Sequence, residues 1–181
     1  MAIRKVARMG NPVLRTKARE LTPGEIQSPE VQRLIDDMVE TLREYDGVGL
    51  AAPQVHEPLR ISVVEFSASN PRYDIEAGQG LTVYVNPRVT VLDPTEEGLW
   101  EGCLSVPGLK GWVMRPRKIR VESLDRHAKP VTITAEGFLA TVLQHEFDHL
   151  DGVLYVDRIK DKAKFAFAEE LAKFRLAAED L

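Results

Sequence analysis

The segment FLATVLQHEFDHLDGVLY, Phe138–Tyr155, decides how the rest of the chain is read. From Phe138 to Leu150 apolar residues recur at helical spacing. His145 and His149 stand at i and i+4, so a helix projects both imidazoles from one face toward a single cation. Glu146 lies one position round, able to reach a water on that cation without ligating it. A cation lowers the pKa of such a water from about 16 toward about 7, and a neighbouring carboxylate can take its proton. Phe138, Val142, His145 and His149 fall in one 4-3-4 row, which predicts an apolar pocket beside the metal. The string HEFDH by itself also occurs on solvated helices. Here the helix is strongly apolar, and histidine and glutamate buried there without partners would be costly.

Outward from this helix the period changes. RISVVEF (60–66), LTVYVNPRVTVL (81–92), KIRVESLD (118–125) and PVTITAEG (130–137) are rich in β-branched residues and bounded by turn formers, so they read as strands. Between the first two, residues 67–80 are polar with Gly and Pro and read as a long loop. Toward the N-terminus, GNPVLRTKARELTP (10–23) reads as a short helix or turn capped by Asn11, with Pro12 at the first position. In residues 28–47, Ser28 caps a clearer helix, Pro29 opens it and Gly47 lies just past its end. Its Val31, Leu34, Ile35, Met38 and Leu42 form one buried stripe. A last amphipathic helix is expected within about 160–180. The expected fold is α+β, with mostly antiparallel β-sheets packed around a central metal-binding helix, N-terminal helices and a C-terminal helix. Residues 1–181 are read as one catalytic domain, with the C-terminal helix as an extension.

The composition, 44% hydrophobic and 29% charged, is that of an ordinary globular chain of 181 residues. A net charge of −4 argues against a dedicated nucleic-acid binder, and no direct nucleic-acid site is predicted. No apolar run approaches the roughly 20 residues a membrane helix needs. The segment MAIRKVARMG lacks the apolar core of a secretory signal. Cys103 is the single cysteine, so no internal disulfide forms, which suits a reducing compartment. The expected location is cytoplasmic, with an organellar form left open.

Two histidines need a third protein ligand. The pattern H-E-x-x-H-x-x-G-x-x-H matches as far as Gly152 and then meets Tyr155, so that source fails. Glu169, about 20 residues past His149, would suit a small HExxH metalloprotease, but FAFAEELAKF around it lacks anything else a site needs. Cys103, in EGCLS, offers a thiolate, a strong ligand for divalent first-row metals. A lone cysteine is more often a buried structural thiol. This one stands beside Gly102, which leaves room, where WEGCLSVPG reads as a short strand entering a turn. Two histidines and one cysteine would leave a coordination position open for water.

GVGLAAPQ, Gly47–Gln54, is the third unusual segment. Its glycines do not continue into a dinucleotide fingerprint. As a plain turn it would pack on the core. As a functional loop, its small residues let a peptide backbone approach closely, and Gln54 can aim an amide donor at a reacting carbonyl.

Taken together and in order, GVGLAAPQ, EGCLS and QHEFDHLDG resemble the three motifs of the peptide deformylases. The likeness runs from NPVLR near the start to the metal helix and is weakest over 66–80 and in the C-terminal tail. The resemblance implies hydrolytic removal of the formyl group from the N-terminal formylmethionine of newly made polypeptides, with release of formate. It implies a metal held by Cys103, His145 and His149, natively Fe(2+), with Zn(2+), Ni(2+) or Co(2+) as substitutes. A water on the metal would be the nucleophile and Glu146 the general base and then acid, while Gln54 and the backbone N–H of Leu104 steady the oxyanion. Val48, Gly49, Leu99, Gly102, Phe138 and Val142 are the expected substrate-binding residues, with the peptide added as a strand beside Gly49. Glu101 and Asp148, paired with Arg115, are expected to orient the ligands. The expected partners are N-formylmethionyl nascent peptides and, through the last helix, the ribosome exit region, in a bacterial cytosol. Two other functions stay open at this point: the Glu169 metalloprotease, and a non-enzymatic binder of formylated N-termini.

Overall fold

Proline and the residue before it start each early helix. Asn11 accepts a hydrogen bond from Val13 N ahead of a 3-10 turn at Pro12–Arg15. Thr22 and Glu25 close a capping box on the short α1, Pro23–Ile26. Ser28 accepts from Val31 N at the head of α2, Pro29–Glu44. One face of α2 buries Val31, Leu34, Ile35, Met38, Val39 and Leu42, the stripe expected from its spacing plus Val39. The computed structural model describes residues 2–66 and 80–174. The loop expected over 67–80 therefore lies outside the described residues except for Gly80, as does the part of the last helix beyond Phe174.

Among the described residues six strands make the sheet: β1 Gly49–Ala51, β2 Ile61–Val64, β3 Thr82–Cys103, β4 Val106–Leu124, β5 Pro130–Glu136 and β6 Phe165–Phe167. The order is β1-β2-β3-β4-β5, every pairing is antiparallel, and β6 adds to β4 at Leu109–Gly111. The central ribbon is longer than the sequence pattern suggested. The β3 strand continues past Leu92 through DPTEEG, and β4 begins at Val106 rather than near Lys118. Register shifts around Asp93 and before Glu96 absorb the proline and the polar run, so the ladder survives where alternation is lost. The ribbon thereby ends in the turn after Cys103, at the metal helix.

That helix is α3, Gly137–Leu150. It buries Ala140, Thr141, Leu143, His145, Glu146, Phe147, His149 and Leu150, too many directions for a surface helix. Tyr84, Ile119, Val121 and Ala135 of the sheet pack with Ala140, Leu143, Phe147 and Leu150 of α3 in one cluster. The apolar face of α2 covers Ile61, Val63, Val83 and Val85 in another cluster. The last helix starts later than expected. Lys162–Lys164 forms a 3-10 turn, the alternating Phe165-Ala166-Phe167 joins the sheet, and within the described residues α4 covers Ala168–Phe174. An open sheet edge at Leu109–Gly111 overrides the helical period there. Among the described residues no helix is long and apolar enough to cross a membrane.

Candidate metal centre and substrate cleft

Three segments far apart in sequence meet at one end of the β3–β4 ribbon. Cys103 Sγ lies 3.3 Å from His149 Nε2. One ligand atom each from Cys103, His145 and His149 falls within 4.8 Å of the others, the only such group among the described residues. Glu169 sits exposed on α4 and is not part of it. Tyr155 is no ligand either. Its ring stacks on His145 at 5.9 Å and 21°, and its hydroxyl donates to the Leu109 carbonyl at 3.1 Å.

The donor set suits a divalent cation. Burial opposes a Cys103 thiolate, but the two imidazoles overcome it and hold the thiol well below its ordinary value. His145 Nδ1 meets Glu101 Oε2 at 2.7 Å, which assigns the proton to Nδ1 and leaves the Nε2 lone pair for a metal. Glu101 is gripped on both oxygens by Arg115, at 2.6 and 3.0 Å. Against its burial, His145 and Arg115 lower its pKa to about 2. Arg115 also donates to Asp148 Oδ2 at 2.8 Å, so the expected trio of Glu101, Asp148 and Arg115 is one connected chain behind His145.

Glu146 is buried, and its Oε2 has no hydrogen-bond partner among the described residues. Burial lifts its pKa to about 7, suited to a group that both takes and returns a proton near neutrality. Gly49 makes that burial feasible, because a Cβ there would stand 2.6 Å from Glu146 Cγ. Gln54 is equally fixed. Its Oε1 accepts from Ala51 N at 2.8 Å, so Nε2 points to Ser105 Oγ at 3.2 Å and Cys103 Sγ at 3.4 Å. The amide donor therefore faces the ligand cluster. Two backbone bonds from the N-terminal segment, Ala7 N to Gln54 O at 2.7 Å and Met9 N to Ser105 O at 2.8 Å, tie these two segments together.

A cleft of roughly 1580 Å³ opens over this cluster. Its walls include Val48, Gly49, Leu99, Gly102, Leu104, Phe138 and Val142, together with Gln54, Cys103, His145 and Glu146. His149 lies behind them, 1% exposed. All twelve residues singled out from the sequence thus gather at one place. Sequence reasoning missed Thr141 on the cleft wall and Ser105 beneath Gln54. Thr141 follows from the helix row, one step from Val142. Ser105 stands within EGCLS, yet nothing in spacing alone aims its hydroxyl.

Residues 3–165 match the family model of the polypeptide deformylases. The chain belongs to that family. It is 45% identical over 171 residues to a peptide deformylase of Leptospira biflexa, covering 94% of this chain and 96% of the relative. A second polypeptide deformylase, peptide deformylase 2 of Pseudomonas putida, is 43% identical over 178 residues, covering 98% and 99%. Among solved deformylases, the Met-Ala-Ser-bound class I type b enzyme of Acinetobacter baumannii superposes with a TM-score of 0.81 at 37% identity, covering 87% of this chain and 99% of that one. The Thermotoga maritima enzyme gives 0.78 at 36%, covering 89% and 100%.

Proposed function

We propose that this deformylase hydrolyses the N-formyl group of N-terminal formylmethionine on newly made polypeptides and releases formate. The observation that carries the reading is the convergence of Cys103, His145 and His149 beside a buried Glu146, with the Gln54 amide aimed at the same point. A divalent cation held there would lower the pKa of a coordinated water and polarise the formyl carbonyl. Thiolate and imidazole donors suit iron, zinc, nickel and cobalt, and we assign Fe(2+) as the native occupant.

Glu146 takes the proton of the attacking water and returns it to the departing amine, a double duty for which a pKa of about 7 is suited. Gln54 Nε2 and the Leu104 N–H donate to the oxygen that becomes negative. The β1 strand ends the sheet order, so the edge away from β2 can accept the substrate main chain at Gly49. Val48, Leu99, Phe138 and Val142 then receive the methionine side chain. The Acinetobacter baumannii relative binds a peptide that begins with methionine, which supports methionine as the first residue of the substrate. Nascent formylmethionyl chains are accordingly the partners, in a bacterial cytosol.

Anaerobic iron-loaded protein should release formate from a formyl-Met peptide and leave the acetyl-Met peptide intact, because the extra methyl crowds the carbonyl site. Metal-containing protein that yields no formate would overturn the reading. So would metal retained in Cys103→Ala but lost in Glu169→Ala.

A further inference from the structure

Ligand orientation here does not stop at the buried chain behind His145. Asp148 Oδ2 accepts from Arg115 and also from Arg158 Nε, each at 2.8 Å, and Asp148 Oδ1 accepts from Arg158 Nη2 at 2.5 Å. Arg158 thus takes both oxygens of Asp148, leaving Arg115 to approach only one of them. Arg115 and Glu101 are almost fully enclosed, with side chains 3% and 4% exposed, whereas the Arg158 side chain is 46% exposed. The path Arg158–Asp148–Arg115–Glu101–His145 alternates in charge and leads from solvent to a metal-ligating ring.

The turn that carries Arg158 is itself held. Residues Tyr155–Arg158 form a 3-10 turn in which Asp157 accepts from Leu154 N at 2.8 Å. Arg15, in the turn near the N-terminus, pairs with both oxygens of Asp157. The same turn supplies the Tyr155 ring that stacks on His145. A side chain on so anchored a turn can set geometry rather than follow it.

We infer that Arg158 is a positioning residue for the metal centre: by clamping Asp148 it fixes the angle at which Arg115 presents Glu101 to His145. The inference rests on Cys103, His145 and His149 holding a metal. Removing an outer partner of a metal ligand commonly weakens metal holding about 10–100-fold. Because Arg158 acts four links away from the His145 ring, the lower end applies.

The test loads the full-length protein with Co(2+) and follows its visible absorption, which reports ligand geometry, and the rate of cobalt loss to a chelator. Arg158→Gln should release cobalt about 10-fold faster than wild type and shift the visible bands. Arg158→Lys, which keeps the charge but not the fork, should fall between them. In an Asp148→Asn background, Arg158→Gln should add almost nothing, because the link it works through is already cut. Wild-type release rate and spectrum in Arg158→Gln would overturn the inference, as would an equal effect with and without Asp148. Wild-type protein that binds no cobalt would overturn the metal-site reading along with it, whereas the first two results leave that reading standing.

Discussion

Helices α2 and α3 are similar in length, 16 and 14 residues, and opposite in what they bury. The buried face of α2 is apolar apart from Thr41, and its partners are the aliphatic side chains of β2 and β3. The buried surface of α3 carries His145, Glu146, His149 and Thr141, and its polar atoms depend on Glu101, Arg115 and Cys103 from the ribbon. An apolar stripe is satisfied by any apolar surface of the right shape. Buried charge is satisfied only by specific partners at specific distances. Both helices carry apolar core, but only α3 adds buried ionisable groups. Substitutions on the α2 stripe should therefore act on stability alone, and those at the polar groups of α3 on chemistry.

The largest effect should fall on α3 without touching stability. Glu146→Gln should lower kcat about 10²–10⁴-fold, with metal content per chain unchanged by elemental analysis. Its unfolding midpoint should not fall, since the carboxyl oxygen it replaces has no partner among the described residues. A lowered midpoint with kcat intact would erase the contrast between the helices. Ile35→Ala on α2 should do the reverse. Ile35 is fully buried, so unfolding in denaturant should show a loss of about 2–5 kcal/mol, with kcat per folded molecule unchanged.

Acid should attack the α3 side first. The folded protein holds Glu101 at a pKa of about 2 against an ordinary 4.5. A depressed carboxyl pKa contributes stability that is complete above the ordinary value and is lost as pH falls through the folded one. Metal-free protein should therefore lose about 3 kcal/mol as pH drops from 4.5 toward 2, measured by denaturant midpoints. In Glu101→Gln that slope should flatten, and an unchanged slope would place the acid sensitivity elsewhere. The smallest effect belongs to the cap of α2. Ser28→Ala removes the acceptor for Val31 N and should cost about 1 kcal/mol, read as a lower thermal midpoint with metal binding unaltered.

The same division explains what the sequence reveals by inspection. The caps and stripe of α2 are local, so Ser28, Pro29 and the apolar spacing define it directly. The i, i+4 histidines on α3 are equally legible, whereas Cys103 joins them through the likeness of EGCLS to a deformylase motif, with Glu169 still open as an alternative in the sequence. Long-range effects were hidden. The extension of β3 through Asp93–Gly98 depends on bulges that its partner strand tolerates, and no alternation announces it. β6 interrupts the expected last helix because an edge 55 or so residues earlier needs a partner. Arg158 and Ser105 matter through contacts 10 and 51 residues away in sequence, which spacing along one helix or strand cannot express.

The terminal position of β1 has a consequence for breadth of action. A peptide bound along that edge, as proposed, would be gripped by its amide and carbonyl groups, which nearly every residue supplies alike. In the proposed orientation only the first side chain would enter the apolar wall formed by Val48, Leu99, Phe138 and Val142. An enzyme built so would interrogate how a protein begins and ignore what it goes on to become, and one small catalyst could then serve many different chains.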